Sequence, residues 1–157
     1  MWKKIVIGLI GAIGLAFLAV SILNIMNAPR EELVENGRPL MEPVQMIVSL
    51  DAIERGILLQ HSVTPVAGTS VFSVLRSLLE ALDIPMEYTE SPLLGVYVSS
   101  IGGFDAGDYG PMSGWMVRVD DEFIGVSISE FILEGGEKVE ILYTTDGGAD
   151  LGVEWEE

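Results

Sequence analysis

An apolar run of 22 residues, positions 5–26, stands near the N-terminus of the chain. As a helix with a rise of about 1.5 Å per residue it would be roughly 33 Å long, enough to cross a hydrocarbon core of about 30 Å. Lys3 and Lys4 precede the run and glutamates follow it, a distribution that keeps the N-terminus inside. We therefore expect a signal anchor or transmembrane helix over residues 1–28, with the rest of the chain on the extracytoplasmic side.

Cleavage within this segment is an open alternative. Ala19, Val20 and Ser21 place small residues at the spacing that a signal peptidase recognises. The apolar run continues beyond Ser21, however, and the hydrophobic regions of signal peptides are usually shorter. This favours an uncleaved, single-pass protein of the cell membrane, and the domain is secreted if the signal is cleaved.

Alternating apolar and polar positions begin only after residue 44. Residues 29–44 hold three prolines and several glutamates without a sustained period, and we interpret them as a linker. Period-two alternation then predicts strands over 45–51 and 57–64, joined through Gly56 as a hairpin. One helix follows, capped by Thr69 or Ser70 and ended by Pro85. Its apolar stripe at helical spacing comprises Val71, Leu75, Leu78, Leu79 and Leu82.

The second half of the chain contains more strand patterns. We interpret the polar stretch 87–92 as a connection and predict strands over 94–101, 115–119 and 138–145, with a glycine-rich loop over 102–114. Strands, one helix and further strands in this order indicate an α+β domain over residues 45–146. We expect a β-grasp-like mixed sheet with the helix packed on one face. Residues 147–157 are expected to form an acidic tail.

Composition narrows the classes of function. The 157 residues include no cysteine, which excludes disulfides, thiolate metal sites and cysteine nucleophiles. Acidic residues number 24 against eight lysines and arginines, so we expect no nucleic acid partner and no peripheral binding to anionic lipid. The charge indicates a soluble exported surface, and the alternative is attraction of cations or of a basic partner.

Five segments together resemble the bacterial family of transcobalamin-like C-terminal domains, which is similar to the small β-grasp-like domain of transcobalamin and intrinsic factor. They are residues 68–75, 98–103, 114–119, 125–131 and 133–140. The resemblance spans about 45–145. It implies a β-grasp-like fold and a corrinoid such as cobalamin, or another flat molecule, as ligand. In transcobalamin the ligand is clamped between this domain and a helical barrel, which these 157 residues do not contain, so the resemblance also implies a partner protein.

The sequence departs from the family pattern at two turns. Asp120 and Asp121 stand where the family commonly has Asn-Gly, a pair that accepts positive φ cheaply, so we expect a longer or different turn there. Gly136 and Glu137 replace a Gly-Asp pair, which is a mild change.

Few side chains favour catalysis. His61 is the sole histidine, and its strand pattern places it beside Leu59 and Val63. We interpret it as a half-buried structural histidine, with a metal or cobalt ligand as the alternative. No nucleophilic triad is available and no carboxylate pair stands out. We expect a protein that is not an enzyme, and a hydrolase is the weakest hypothesis.

Hard metal ions have two sites to consider. Asp146 and Asp150, like Asp105 and Asp108, place carboxylates near glycines, as calcium sites do. Neither pair follows a known calcium-binding pattern, so solvated acidic turns are the simpler interpretation and we predict no metal site. Met112 and Met116 are a weaker candidate pair for copper.

The loop 102–114 is the best functional candidate, because loops of this length are often functional or mobile. Aromatic faces on a glycine-rich backbone can cover a flat ligand or dock a partner. The alternative is that Trp115 and Phe104 close the edge of the core. We predict a membrane-anchored extracytoplasmic binding module, or alternatively a cell-envelope interaction domain without a small ligand. Its partners would be an envelope protein or a transporter. The candidate ligand-binding residues are Gly103, Phe104, Tyr109, Met112 and Trp115.

Overall fold

The computed structural model of the chain describes residues 34, 35 and 37–154, which belong to one unit spanning Leu33–Glu157. The helix expected over residues 1–28 lies outside the described residues, as do the beginning of the expected linker and the end of the expected tail. Within the described part of the chain, no helix combines the length and the apolar character needed to span a membrane.

The secondary structure follows an α+β order. In chain order the elements are β1 (Val34–Glu35), β2 (Arg38–Pro39), β3 (Val44–Ser49), β4 (Ile57–Val63), α1 (Val71–Ala81), β5 (Met86–Ser91), β6 (Gly95–Ile101), β7 (Phe104–Asp105), β8 (Gly114–Val119), β9 (Glu122–Phe123) and β10 (Lys138–Thr144). Short 3₁₀ turns at Asp51–Ile53 and Ala149–Leu151 complete the domain.

The main sheet has five strands in the order β4-β3-β10-β8-β9. The final strand β10 runs parallel to β3 and antiparallel to β8, so it fills the centre of the sheet. A hairpin, a crossing helix and a last strand inserted beside the first one form the arrangement of a β-grasp. The α+β class and the helix on one face are therefore confirmed. The expected single sheet is wrong, because β5, β6 and β7 form a separate three-stranded sheet.

Helix α1 contributes six buried side chains to the hydrophobic core. Ser70 caps it by accepting a hydrogen bond from the Ser73 backbone N–H at 3.3 Å, as the sequence suggested. Four of the five residues in the predicted stripe are buried, whereas Leu82 follows the last turn and is exposed. Full burial of one such leucine stabilises the fold by about 1.5–3 kcal/mol. The buried four are Val71, Leu75, Leu78 and Leu79.

The folded domain extends beyond both predicted boundaries. Val44 is fully buried in β3, and the Met41 N–H donates to the Pro65 carbonyl at 2.9 Å, so the C-terminal part of the expected linker belongs to the fold. At the other end, Gly148 is buried and its N–H donates to the Thr144 hydroxyl at 2.7 Å. The first part of the expected tail is therefore an ordered turn.

The polar stretch 87–92 does not form the expected connection, because most of it is strand β5. Met86 and Tyr88 are half-buried while Glu87 and Thr89 are exposed, which is the alternation of a strand with one wet face. Tyr88 packs edge-on against Phe72 of α1, with ring centroids 4.8 Å apart. Strand β5 therefore covers one flank of the helix.

The turn between β8 and β9 keeps the short form despite its two aspartates. Asp120 and Asp121 adopt φ values of +47° and +68°, and the flanking Val119 and Glu122 pair directly. This is the two-residue turn that Asn-Gly usually makes, not the longer or different turn that we expected. The Asp120 carboxylate accepts a hydrogen bond from the Lys138 N–H at 2.8 Å, which helps to hold the strained conformation.

A compact ion cluster lies on the face of the main sheet away from α1. The Glu140 carboxylate accepts from Arg118 Nε at 2.8 Å and lies 3.1 Å from Lys138 Nζ. Burial raises the pKa of Glu140, but the hydrogen bonds from Arg118 and Lys138 outweigh it, so the pKa lies below its ordinary value. Two of the domain's few cations are thereby paired with one carboxylate.

Candidate ligand-binding cleft

An apolar cleft of about 240 Å³ opens between the three-stranded sheet and the main sheet, where β6 faces β8. The segment after β9 forms its third wall. Valine, isoleucine and aromatic side chains dominate the lining, a composition typical of sites for small molecules. The residues around it are Val96, Tyr97, Val98, Trp115, Met116, Val117, Phe123, Ile124, Val126, Ser127, Ile128 and Ile141.

Ser127 joins the third wall to β6. Its hydroxyl accepts from the Val96 N–H at 2.8 Å and lies 3.1 Å from the Val96 carbonyl, to which it donates. Ser129 supports this contact, with its hydroxyl 3.0 Å from that of Ser127. A Cβ atom on Gly95 would lie 2.4 Å from the Ser127 hydroxyl oxygen, so glycine alone allows the approach. The third wall of the cleft is therefore joined to β6 by the hydrogen bonds of the Ser127 side chain instead of by strand pairing.

The mouth of the cleft carries exposed apolar side chains. Tyr97 is 56% exposed and Val126 is 51% exposed, and both also line the cleft. The adjoining turn of the β5–β6 hairpin presents Leu93 and Leu94, which are 91% and 81% exposed. Exposed apolar side chains at the mouth of an apolar cleft are typical of a place where something binds.

The loop between β7 and β8 is held by one buried hydroxyl. Ser113 accepts hydrogen bonds from the Gly107 and Tyr109 N–H groups at 3.1 and 3.2 Å and donates to the Gly110 carbonyl at 2.9 Å. The first residues of the predicted loop pair with β6 as strand β7. The segment that the sequence suggested as one long loop is thus a short strand followed by a hydrogen-bonded turn.

Tyr143 of β10 connects this turn to the cleft, and the sequence analysis did not single it out. It is buried, and its hydroxyl donates to the Asp105 carbonyl at 2.6 Å and lies 3.2 Å from the Ser113 hydroxyl. Tyr109 packs edge-on against its ring with centroids 5.9 Å apart. Trp115 packs edge-on on the ring as well and donates its indole N–H to the Phe104 carbonyl at 3.0 Å.

The five candidate residues from the sequence are therefore distributed over two places. Trp115 alone lines the cleft. Phe104 is half-buried in β7, and Gly103 is exposed in the tight turn before it. Tyr109 and Met112 are 47% and 60% exposed on the packed turn. The structure brings Tyr109 and Trp115 together around Tyr143.

The sequence analysis missed the other walls of the cleft. Val96, Tyr97, Val126 and Ser127 come from segments that lie about thirty positions apart in the chain. A weak signal existed in Ser127 and Ser129, since alternating serines in an otherwise apolar segment suggest hydrogen bonds to a neighbouring backbone.

His61 is exposed, so the expectation of a half-buried histidine is wrong. Its register opposite buried Met46 does place it in the same row as Leu59 and Val63, on the face of the sheet that carries α1. Leu59 is buried in the core, whereas His61 lines an open groove beside α1 at the edge of the sheet.

The acidic turns use their carboxylates to bind their own backbone. Asp150 accepts from the Thr144 hydroxyl and from the Thr145 N–H, and its own N–H donates to Asp146 at 2.8 Å. Burial raises the pKa of Asp150, but the hydrogen bonds from Thr144 and Thr145 lower it by more. Its pKa therefore lies below the ordinary value. Asp108 similarly accepts from the Asp105 N–H at 3.0 Å. Over residues 34–35 and 37–154, no three acidic or histidine side chains are grouped as a metal site would require.

Fold and cleft together define a small β-grasp-like domain with an apolar surface cleft. The sequence model of a domain of unknown function, DUF4430, matches residues 68–145, which run from the start of α1 to the end of β10. No curated protein matches the sequence.

Among solved structures, haptocorrin in complex with Cbi is similar with a TM-score of 0.58 and 18% identity. The match covers 72% of this chain and 27% of haptocorrin, so the chain spans about a quarter of that protein's length. A Ruminococcus gnavus protein described as a candidate metal-binding protein is 12% identical over 66% of this chain and 96% of its own. Its TM-score of 0.45 is too low to establish a common fold. The transcobalamin-like fold that the sequence implied is confirmed by haptocorrin.

Proposed function

We propose that the chain is a non-enzymatic binding module that holds a flat, largely apolar small molecule at the cleft between β6 and β8. The observation that carries this proposal is the cleft with its exposed apolar rim of Tyr97 and Val126. Burying such a rim against a ligand ring is favourable by about 25 cal/mol for each Å² removed from water. A corrinoid is the leading candidate, and the resemblance to the transcobalamin family and the fold shared with haptocorrin support it.

The size of the cleft limits how the ligand would sit. A volume of about 240 Å³ admits an edge or a substituent of a corrin-sized molecule, with the ring lying over the rim. The opposite face of the ring would remain wet. A partner protein that covers that face, such as an envelope protein or a transporter, would raise the affinity by removing the second face from water.

The sequence supports a location for the module at the outer face of the cell membrane. The apolar run 5–26, with lysines before it and glutamates after it, supports a membrane anchor with its N-terminus inside. The domain would then face the outside of the cell membrane, and cleavage of the run would release it. Fusing a reporter that is active only outside the membrane to the C-terminus tests this orientation, and activity of a cytoplasmic reporter instead would exclude it.

Titration of the full-length chain in neutral detergent with cobalamin and with cobinamide tests the ligand. Replacing Trp2 and Trp155 by phenylalanine leaves Trp115 on the cleft wall as the sole tryptophan reporter. We expect quenching of its fluorescence and a shift of the corrin absorption bands. No change up to about 1 mM ligand, which corresponds to about −4 kcal/mol, would exclude a corrinoid.

A matched pair of surface variants tests the position of the site. Val126 is 51% exposed at the cleft, and Ile132 is 48% exposed away from it. We expect Val126→Glu to weaken binding at least tenfold and Ile132→Glu to leave it within threefold. Equal weakening by both variants would place the ligand elsewhere.

A second candidate function is an interaction domain of the cell envelope without a small ligand. The exposed pair Leu93 and Leu94 at the hairpin tip favours it, because isolated tips rarely expose two leucines to water without a partner. A null titration together with a partner whose binding is lost in Leu93→Asp would support this function.

A further inference from the structure

The outer edge of β4 is unusual among the strand edges of the described residues. Strand β4 ends the five-stranded sheet, and its seven residues, Ile57–Val63, include no proline and no lysine, arginine, aspartate or glutamate. Sheet edges are normally protected by charge, by proline or by being short. Strand β5 carries two glutamates, and the edge strands β7 and β9 have two residues each. Strand β4 is the long edge without such protection.

Hydrogen-bond directions show which groups this edge offers. The Gln45 N–H donates to the Glu137 carbonyl at 2.9 Å, so the backbone N–H and C=O groups of Gln45 point toward β10. Those of its neighbour Met46 point toward β4. Met46 pairs with His61, so the backbone groups of His61 form their hydrogen bonds with β3. Because directions alternate along a strand, Gln60 and Ser62 turn their N–H and C=O groups outward. No strand of the described chain pairs with them there.

A groove runs beside this edge, between β4 and α1, with a volume of about 570 Å³. The helix contributes short side chains to it, and β4 contributes His61 and Val63 from the row that faces the helix. A strand added to β4 would direct every second side chain into this groove, which is how strand addition gains specificity. The short groove residues on or before the helix are Thr69, Ser73, Ser77 and Ala81.

Charge decides what would occupy the site. The described residues include twenty aspartates and glutamates against five arginines and lysines, and Glu35 lines the groove itself. A second copy of the chain carries the same charge and is repelled, whereas a basic segment is attracted. We propose that the outer edge of β4 is a strand-addition site for an extended, basic segment of a partner polypeptide, with apolar side chains at alternate positions entering the groove.

The experiment uses the full-length chain in neutral detergent and a seven-residue probe peptide of alternating lysine and valine. We measure its affinity by titration and amide hydrogen exchange of the protein by NMR. Binding should slow exchange of the outward Gln60 and Ser62 amides at least tenfold. A peptide of the same sequence with every backbone amide N-methylated keeps the charge and the side chains but cannot donate hydrogen bonds to β4 in either strand direction, and it should bind at least tenfold more weakly.

Two variants at one position separate strand addition from general attraction. Gln60→Pro removes the outward N–H and places a ring where the added strand would lie, which an edge strand tolerates. Gln60→Ala keeps the N–H. We expect Gln60→Pro to lose at least tenfold in affinity and Gln60→Ala to stay within threefold. Ser77→Phe fills the groove from the helix and should also weaken binding, without any change in β4.

Each alternative outcome overturns the proposal. Equal affinity for both peptides would show that charge alone attracts them. Protection at β5 instead of β4 would place the site on the other long edge. Concentration-dependent dimers that protect Gln60 without added peptide would make a second copy the occupant. Corrinoid binding at the cleft between β6 and β8 is measured separately, so its failure would leave this test intact.

Discussion

The indole of Trp115 and the phenol of Tyr143 meet edge to face, with ring centroids 5.1 Å apart and planes at 79°. Trp115 forms a wall of the cleft, and the Tyr143 hydroxyl holds the turn before β8 through the Asp105 carbonyl. The strand at the centre of the main sheet thus fixes both the cleft wall and the adjoining turn. Edge-to-face pairs of this kind contribute about 0.5–1.5 kcal/mol beyond their burial.

Removal of the Tyr143 hydroxyl should loosen the turn. Tyr143→Phe keeps the ring contact with Trp115 but loses the bond to Asp105, at a cost of about 1 kcal/mol in the free energy of unfolding. Exchange of the Gly107 and Tyr109 amides, which bond to Ser113, should become faster. Chemical denaturation and NMR exchange measure the two effects. Tyr97→Phe changes an exposed phenol and serves as the control, and equal behaviour of the two variants would contradict the role of Tyr143.

Replacing Gly95 should disturb the cleft specifically. Both Gly95 and Gly107 have positive φ, at +73° and +97°, so alanine at either position carries a backbone cost of about 1 kcal/mol. At Gly95 the added Cβ also meets the Ser127 hydroxyl, whereas nothing lies within 4 Å at Gly107. We expect Gly95→Ala to destabilise the fold by at least about 1 kcal/mol more than Gly107→Ala. Similar melting temperatures for the two variants would show that the Ser127 contact is loose.

Acid should remove the contribution of the Glu140 ion cluster. The folded-state pKa of Glu140 lies below its unfolded value, so the cluster stabilises the fold above the ordinary glutamate pKa of about 4.3 and loses that effect as the pH falls through the lowered pKa. At pH 7 Glu140→Gln should lower the free energy of unfolding by about 2 kcal/mol, because the partly buried Arg118 loses its charged partner.

Urea denaturation of both proteins between pH 7 and pH 3 measures the effect. The difference between wild type and Glu140→Gln should shrink toward the acid end. Glu80→Gln, which alters an exposed ion pair with Arg76, should have no measurable effect at either pH. A difference at Glu140 that stays constant with pH would show that charge is not its origin.

The Asp120–Asp121 turn should depend on the first aspartate. Asp120 combines positive φ with a side-chain bond to the Lys138 N–H. Asp120→Ala loses both the acceptor and the tolerance of the left-handed region, and should destabilise the fold by about 1 kcal/mol. Asp120→Asn keeps both, and its free energy of unfolding should stay within a few tenths of about 1 kcal/mol of the wild-type value. Thermal unfolding of the two variants checks the order, and a less stable Asp120→Asn would contradict it.

Local patterns predicted the local elements well. Alternation located β3 and β4, and Ser70 together with the apolar stripe located the start of α1, because each of these signals is contained in a few neighbouring residues. Strand β5 was missed because Glu87 and Glu90 suggested a connection, although the alternation of Glu87 and Thr89 with Met86 and Tyr88 is that of a half-buried strand. The division of the strands into separate sheets depends on contacts between distant segments and has no local signature.

The candidate site shows the same limit more strongly. Trp115 was selected from the sequence for its aromatic ring, and it lies on the cleft wall. The opposite wall exists because Ser127 reaches the backbone of Val96, a contact between segments that no period or motif connects. His61 was placed in the correct row, but it lines the open groove between β4 and α1, and a strand pattern does not contain the position of a helix.

The central position of β10 determines when the main sheet can form during folding. Lys138 lies beside Gln45, so the strand at the middle of the sheet is contributed last, and the β3–β4 hairpin has one open side until it arrives. Pairing across so long a stretch of chain closes slowly and leaves the intermediate prone to association. A product that stops before residue 138 would lack the sheet's centre, and the domain reaches its stable form only after the C-terminal strand has been made.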